Sequence, residues 1–299
     1  MPTQIELLKK YGLSVRGRSG QHLLIDPNVQ RKIVDLLDPK PSDTVLEIGP
    51  GLGALTGEIL GRGAKVWAVE KDGQFARILE REWSDYVPAK LKIVSGDILE
   101  FDIKKMVPKK KGKCLIKVIS NLPYYITTPT IFHLIRYRGL IERAVLTMQK
   151  DVADRLLASP GTRDYGRLTL GVRYAAEVRH GFDIPPSCFT PQPDVDSSVL
   201  HLTFFPEAKL PKGVDETFLF YLIRVAFGQR RKTLLHILTR DPKINLERGP
   251  ILKIFGALGF APKVRGEELL LKDYFALAER LHECGIMGNK GDYSHSCRS

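Results

Sequence analysis

Apolar and polar positions along the first two-thirds of the chain follow two alternating periods. Short, β-branched apolar runs bounded by turn residues predict buried strands at Thr44–Ile48, Lys65–Val69, Leu91–Val94, Leu115–Ile119 and Val145–Met148. Between them, Val29–Leu37, Leu55–Leu60, Gln74–Trp83 and Thr130–Tyr137 carry the spacing of amphipathic helices. Parallel strands need a long crossover, and helices supply it, so this alternation predicts an α/β fold with a parallel sheet covered on both faces. Tyr174–Val178 and Val199–Phe204 predict an antiparallel pair closing one edge of that sheet. Pro206–Val214 has two prolines and no period, and reads as a linker. Beyond it the pattern turns helical over Thr217–Thr239, Pro250–Leu258 and Asp273–Glu283. The expected organisation is an α/β domain over residues 1–205, a small helical domain over 206–284 and a disordered tail over 285–299.

Composition narrows the class. The 299 residues are 43% hydrophobic and 27% charged, the balance of a globular protein, and no apolar run is long enough to span a bilayer. Met1–Gly20 has no apolar core of signal-peptide length, so no membrane association and a cytoplasmic location are expected. Forty-six Lys and Arg against thirty-four Asp and Glu give a net charge of +12, which favours a polyanionic partner without naming it. Cys114, Cys188, Cys284 and Cys297 form no CxxC pair or disulfide framework, as suits a reducing compartment. His282, Cys284, His295 and Cys297 are spaced more tightly than usual zinc ligands, and no metal site is expected.

The first strand run leads into Glu47-Ile48-Gly49-Pro50-Gly51-Leu52-Gly53, where glycines allow a sharp turn and close approach to a ligand. Gly49-x-Gly51-x-x-Ala54 also fits a loose dinucleotide fingerprint, so a nicotinamide enzyme stays open here. The second strand ends at Glu70, placed to accept from both ribose hydroxyls of either NAD or S-adenosylmethionine. The third ends near Ser95-Gly96-Asp97-Ile98, with Asp97 suited to an adenine amino group and Ile98 beside it.

The fourth strand runs into Asn121-Leu122-Pro123-Tyr124, which points to a particular chemistry. An adenine amine is a poor nucleophile because its lone pair is delocalised into the ring. The Asn121 side-chain oxygen and the Leu122 carbonyl form an acceptor pair able to hold both N–H groups, and Pro123 fixes the loop between them and Tyr124. Tyr124 offers a face on which a base can stack. A sulfonium cofactor would carry the reactive methyl, leaving alignment to the protein.

Taken together these residues resemble the KsgA-type rRNA adenine dimethyltransferases, with the macrolide-resistance rRNA methylases as close cousins. The likeness begins at Gly20-Gln21-His22-Leu23-Leu24, where Leu23 replaces the usual Phe at a position the resemblance makes an apolar wall near the active site, and takes in the glycine loop, Glu70, Asp97 and Asn121 to Tyr124. It continues through Gln149 to Leu156, Tyr165-Gly166-Arg167-Leu168, Phe189 to Ser197, and Phe227 to Leu234. The resemblance implies a Rossmann-like class I methyltransferase domain with a small all-helical C-terminal domain. It implies dimethylation of two adjacent adenines in a hairpin loop near the 3′ end of small-subunit rRNA, within a pre-ribosomal particle and by a monomer. It places the S-adenosyl-L-methionine contacts on Gln21, His22, Leu24, Gly49, Gly51, Gly53, Glu70, Asp97, Ile98 and Asn121. By similarity, Phe189 would stack on the target base opposite Tyr124.

Arg230, Arg231 and Lys232 are the candidate phosphate contacts, read as lying on a helix whose other positions, Leu222, Ala226 and Leu234, look like core. The run Lys104, Lys105, Lys109, Lys110, Lys111, Lys113 and Lys117 reads as a solvated loop, and His133 and His201 as core histidines. A large-subunit methylase and a non-catalytic nucleic-acid-binding relative are the other readings; intact Glu70, Asp97 and Asn121 to Tyr124 disfavour the latter.

Overall fold

The computed structural model describes residues 3–15, 22–107, 115–207, 210 and 214–285. In chain order the elements are α1 (Gln4–Lys10), β1 (Leu23–Leu24), α2 (Pro27–Leu37), β2 (Thr44–Ile48), α3 (Ala54–Gly61), β3 (Lys65–Glu70), α4 (Gly73–Glu82) and β4 (Leu91–Ser95). There follow β5 (Ile116–Asn121), α5 (Thr127–Arg136), β6 (Ile141–Gln149), α6 (Lys150–Leu157), α7 (Arg167–Ala175), β7 (Ala176–Ile184), β8 (Phe189–Thr190) and β9 (Ser197–Phe204). The last are α8 (Glu216–Gly228), α9 (Leu234–Arg240), α10 (Arg248–Leu258) and α11 (Leu271–Glu283). The described residues form two compact units, one drawn from residues 1–154 and 175–207, the other from 155–174 and the stretch after 207. Residues 155–174, read from sequence as part of the α/β domain, thus group with the helical unit.

In the first unit the seven strands lie in the order β4-β3-β2-β5-β6-β9-β7. The five strands β2 to β6 run parallel, and β9 pairs antiparallel with both β6 and β7, which is the expected closing pair. The inner parallel strands β2, β5 and β6 are buried on both faces over most of their length, so they read as near-continuous apolar runs, whereas the edge strand β4 is only partly buried. Strand order reverses between β2 and β5, and α/β sheets bind ligands at the carboxyl ends of strands at such a switch.

Local chemistry sets the helix ends. Asp26 caps α2 by accepting from Asn28 N at 2.8 Å and Val29 N at 3.1 Å, with Pro27 in the first turn, so α2 starts two residues before its apolar periodicity. Its apolar face, Ile33, Val34 and Leu37, joins the core with Val45, Ile119, Val145 and Val199 of the sheet. Lys117 departs from the solvated-loop reading. It lies within β5, its side chain 6% exposed, pairing with Asp43 at 2.7 Å and donating to the Asp38 carbonyl at 2.7 Å beyond the end of α2. A buried ammonium persists only when paired in this way. Lys104 and Lys105 occupy a one-turn 3-10 helix, and Lys109, Lys110, Lys111 and Lys113 lie outside the described residues. His133 is buried with Nε2 3.1 Å from the Phe101 carbonyl, whereas His201 is only half-buried.

In the second unit, the single helix read over Thr217–Thr239 is two helices, α8 and α9. Asp215 caps the first (Phe218 N, 2.6 Å) and Thr233 the second (His236 N, 3.3 Å), so a fresh N-cap interrupts the apolar period. Arg230, Arg231 and Lys232 therefore sit on the turn between them, not on a helix. Cys284 lies exposed just after α11, while His295 and Cys297 lie outside the described residues.

Candidate active site

The carboxyl ends of β2, β3 and β5 open onto a solvent-facing pocket. Its lining includes Gly49, Gly51, Glu70, Asn121, Leu122, Pro123 and Tyr124, all predicted site residues. It also includes His22 and Leu23, which the sequence implicated, and Phe75, which it did not. Gln21 lies outside the described residues.

The glycine loop is shaped for a ligand. Gly49 has φ +64°, and an added Cβ would meet nothing within 4 Å, so positive φ selects glycine there. At Gly53, φ is +89° and a Cβ would lie 2.5 Å from the Trp83 indole nitrogen, so conformation and packing both exclude a side chain. Gly53 thus shapes the loop and caps α3, while Gly49 and Gly51 face the pocket.

Two acids hold this loop in different ways. Glu70, 4% exposed, accepts from Gly51 N at 3.0 Å through one carboxylate oxygen and from Asp72 N at 2.8 Å through the other. Burial raises its pKa against the lowering effect of those two bonds. Each oxygen keeps lone-pair capacity for a hydroxyl donor. Glu47 faces inward, is 1% exposed and accepts from the Thr56 hydroxyl at 2.6 Å, tying β2 to α3. Burial pushes its carboxyl up to about 7.

Glu47 makes stability depend on pH. The unfolded carboxyl ionises at about 4.5 and the folded one at about 7, so its protonated form favours folding. That contribution is full below pH 4.5, is lost as pH rises to about 7, and amounts to about 3 kcal/mol. Glu47→Gln keeps an acceptor for Thr56 and should flatten this slope, raising stability relative to wild type at pH 8 but not at pH 4.5. Urea unfolding at both values reads the difference, and parallel curves would assign the pH dependence elsewhere.

Asp97 sits just past β4 and accepts from Leu99 N at 2.9 Å and from Lys71 Nζ at 2.9 Å. The Leu99 amide foremost, then Lys71, hold its carboxyl below the usual range. Ile98 beside it is buried.

At the end of β5, the Asn121 amide nitrogen donates to the His22 carbonyl at 2.8 Å. This fixes the amide and turns its oxygen, the acceptor, away from that carbonyl. Leu122 is anchored through its N–H to the Thr147 carbonyl at 3.0 Å, and Pro123 has φ −57°. The Tyr124 ring stacks on His22 with centroids 5.2 Å apart and planes at 30°, and its hydroxyl meets Ser197 Oγ at 2.9 Å. His22 Nδ1 lies 2.7 Å from the Pro191 carbonyl; a carbonyl only accepts, so Nδ1 carries the proton.

The two-residue pairing of β1 with β8 brings the N-terminal motif to the Phe189 motif. Leu23 pairs with Thr190 and Leu24 with Phe189. Paired residues share a face, and Leu24 and Phe189 both enter the main core while Leu23 lines the pocket. This register bears on three expectations. Leu23 lines the pocket, as the resemblance implied for that position, whereas the Leu24 side chain lies in the core, and Phe189, 2% exposed, presents no stacking face. Phe189→Ala should therefore cost about 3–5 kcal/mol of stability, as for a core aromatic. Phe189→Trp should also destabilise by overpacking. Thermal unfolding checks both, and a stable, inactive Phe189→Ala would restore the stacking role.

Arg230 is corrected too. Its guanidinium donates to Glu267 at 2.8 Å and to three backbone carbonyls of the second unit, so it is not a free phosphate ligand.

The site fits S-adenosylmethionine: a positive-φ glycine cradle with open space, a buried carboxylate with spare acceptor capacity, and an oriented amide oxygen beside it. The sequence profile of the family described as "Ribosomal RNA adenine dimethylase" matches residues 12–245. The chain is 40% identical over 280 residues to "Ribosomal RNA small subunit methyltransferase A" of Lachnoclostridium phytofermentans, covering 93% of this chain and 96% of that one. It is 38% identical over 277 residues to the like-named protein of Halothermothrix orenii, covering 92% and 91%. Among solved structures, a dimethyladenosine transferase from Plasmodium falciparum superposes with TM-score 0.76 at 28% identity, over 88% of this chain and 98% of that one. The 23S rRNA methyltransferase ErmE superposes with TM-score 0.67 at 23% identity, over 87% and 99%, a likeness of fold. With the profile spanning most of the sequence and relatives of this identity covering over nine-tenths of it, the chain belongs to the ribosomal RNA adenine dimethylase family.

Proposed function

We propose that this protein dimethylates the exocyclic amines of two adjacent adenines in small-subunit rRNA, using S-adenosylmethionine, during ribosome assembly. The observation that carries the reading is the Asn121 amide, held by the His22 carbonyl with its oxygen available as an acceptor at the pocket that also holds Glu70 and Tyr124.

When bound, S-adenosylmethionine supplies an electrophilic sulfonium methyl. Gly49, Gly51 and Glu70 would hold it, with Glu70 taking the ribose hydroxyls and Asp97 the adenine amine. His22 orients the site through its backbone carbonyl. The Asn121 oxygen and the Leu122 carbonyl accept the two N–H bonds of the target amine, drawing its lone pair out of conjugation and aiming it at the methyl carbon. That nitrogen would take the methyl of the bound cofactor, the sulfur keeping the electron pair of the broken bond. The amine is acidic once alkylated, so its extra proton passes to solvent without a strong base. Tyr124, its hydroxyl tied to Ser197, steadies the flipped base by stacking.

The enzyme acts as a cytoplasmic monomer on a pre-ribosomal particle, with the helical unit gripping RNA backbone. Among the described residues no helix is long and apolar enough to cross a membrane. Methylation-deficient small subunits incubated with labelled S-adenosylmethionine should gain two methyls on each of two neighbouring adenines near the rRNA 3′ end. Label confined to large-subunit rRNA would favour the macrolide-resistance type, and no label on either subunit would favour a binding relative.

A further inference from the structure

The basic turn of the helical unit contains a residue that looks like a phosphate ligand and is bonded like a structural one. Arg230 has 40% of its side chain exposed. Yet its Nε–H donates to Glu267 Oε2 at 2.8 Å, Nη1 to the Arg163 carbonyl at 2.7 Å, and Nη2 to the carbonyls of Thr162 at 3.3 Å and Tyr165 at 3.2 Å. A guanidinium has five N–H donors, and four are committed within the unit. Three of the four acceptors belong to one loop, residues 162–165.

Other bonds join the same segments. Gly161 N donates to the Glu267 carbonyl at 2.8 Å, and Leu234 N to the Val264 carbonyl at 2.8 Å. The fully buried Tyr165 ring sends its hydroxyl to the Leu269 carbonyl at 2.8 Å. Three stretches distant in sequence, around 161–167, 229–234 and 264–269, are thus tied at Arg230 and Glu267. The cations they leave on the outside are Arg163, Arg167, Arg231, Lys232 and Arg265, every one exposed, and the first four lie in the two segments that Arg230 joins.

We propose that Arg230 is a positioning residue that holds the 161–167 loop against the 229–232 turn, and that the RNA backbone is bound by the composite surface of Arg163, Arg167, Arg231 and Lys232. This rests on the reading that the helical unit binds rRNA. A lysine cannot replace Arg230 in this role, because a single ammonium does not span a carboxylate and three carbonyls at once. A phosphate contact, by contrast, tolerates Lys, since it needs mainly charge at short range.

The test uses the full chain and a fluorescent small-subunit rRNA hairpin titrated at several salt concentrations. Arg163→Ala should lower the salt slope by about 0.7–0.9, the value of one phosphate contact. Arg230→Lys keeps the charge yet should lose at least as much affinity as Arg163→Ala, and adding Arg163→Ala to it should cost little more. In the unbound protein, Arg230→Lys should speed hydrogen exchange at the Gly161 and Tyr165 amides. Glu267→Gln gives the sharpest contrast. Removing an acid beside a polyanion should tighten binding by electrostatics alone, whereas losing the partner of Arg230 should weaken it. Tighter binding by Glu267→Gln, or wild-type exchange and affinity in Arg230→Lys, overturns the proposal. Wild-type methyl transfer to small subunits with an RNA salt slope indifferent to Arg163→Ala overturns it while leaving the proposed function intact. Absence of methyl transfer by the wild type overturns that function, and the binding and exchange data then judge the surface separately.

Discussion

Asn121→Ala is expected to lower turnover by about 10²–10³-fold while RNA affinity stays within a few-fold of wild type. The reason lies in what the side chain meets. Its nitrogen is held by the His22 carbonyl at 2.8 Å, so its oxygen is preorganised as an acceptor and spends no rotamer freedom when the target amine arrives. The bond to that amine strengthens as the nitrogen becomes pyramidal and positive, so it favours the transition state over the bound substrate. On the proposed reading RNA affinity rests on backbone contacts elsewhere and should not follow. Asn121→Asp separates orientation from acceptance: it keeps an oxygen toward the pocket but sets a carboxylate against the His22 carbonyl. It should therefore fall well below wild type, although its acceptor is stronger. Single-turnover methylation with saturating RNA reads both variants, and near-normal turnover in Asn121→Ala would mean the nucleophile is prepared by other groups.

What the sequence could tell follows from how local each signal is. Strands β2 to β5 were legible within a residue or two because their apolar runs and bounding turns are local. Glu70 and Asn121 were legible because each ends or follows such a strand, and the parallel sheet then brings its strand ends together at the switch point. The side on which Phe189 lies was not legible. It depends on the register of two-residue strands, Leu24 opposite Phe189, from parts of the chain 165 residues apart. A shift by one residue would have exchanged the faces of Leu23 and Leu24. The role of Arg230 was hidden likewise, since its charge is visible in sequence but its partners, Glu267 and three carbonyls, are visible only in three dimensions. The α8–α9 break had a local signal that the apolar period masked: Gly228 followed by Thr233 as a new N-cap. Lys117 shows the opposite failure. Lys117 lies in the run Leu115–Ile119 that the period already marked as a strand, yet its charge was grouped with the solvated lysines, while its ammonium is enclosed between Asp43 and the Asp38 carbonyl.

Glu70→Ala should weaken S-adenosylmethionine binding by about 10²–10⁴-fold, and the size comes from two sources. Charge-assisted hydrogen bonds from two ribose hydroxyls are worth about 1.5–3 kcal/mol each. The same carboxylate also accepts from Gly51 N at 3.0 Å and Asp72 N at 2.8 Å, so its loss frees the loop that must approach the cofactor. Glu70→Gln retains an acceptor and should fall between wild type and Glu70→Ala. The pH dependence has a definite sign. Burial raises the Glu70 carboxyl above its ordinary value, so in the free protein it takes up a proton at higher pH than an exposed glutamate does. Protonation removes acceptor capacity the hydroxyls need, so affinity should be full where Glu70 is ionised and fall as the solution is acidified through that raised value. Glu70→Gln should show no such fall, whereas Glu47→Gln, whose side chain faces Thr56 instead, should keep it. Calorimetric titration of the three variants and wild type across pH separates these outcomes. Equal pH profiles in wild type and Glu70→Gln would remove Glu70 from the cofactor's hydrogen bonds. Tight NAD binding without any response to S-adenosylmethionine would assign the glycine loop to a different cofactor altogether.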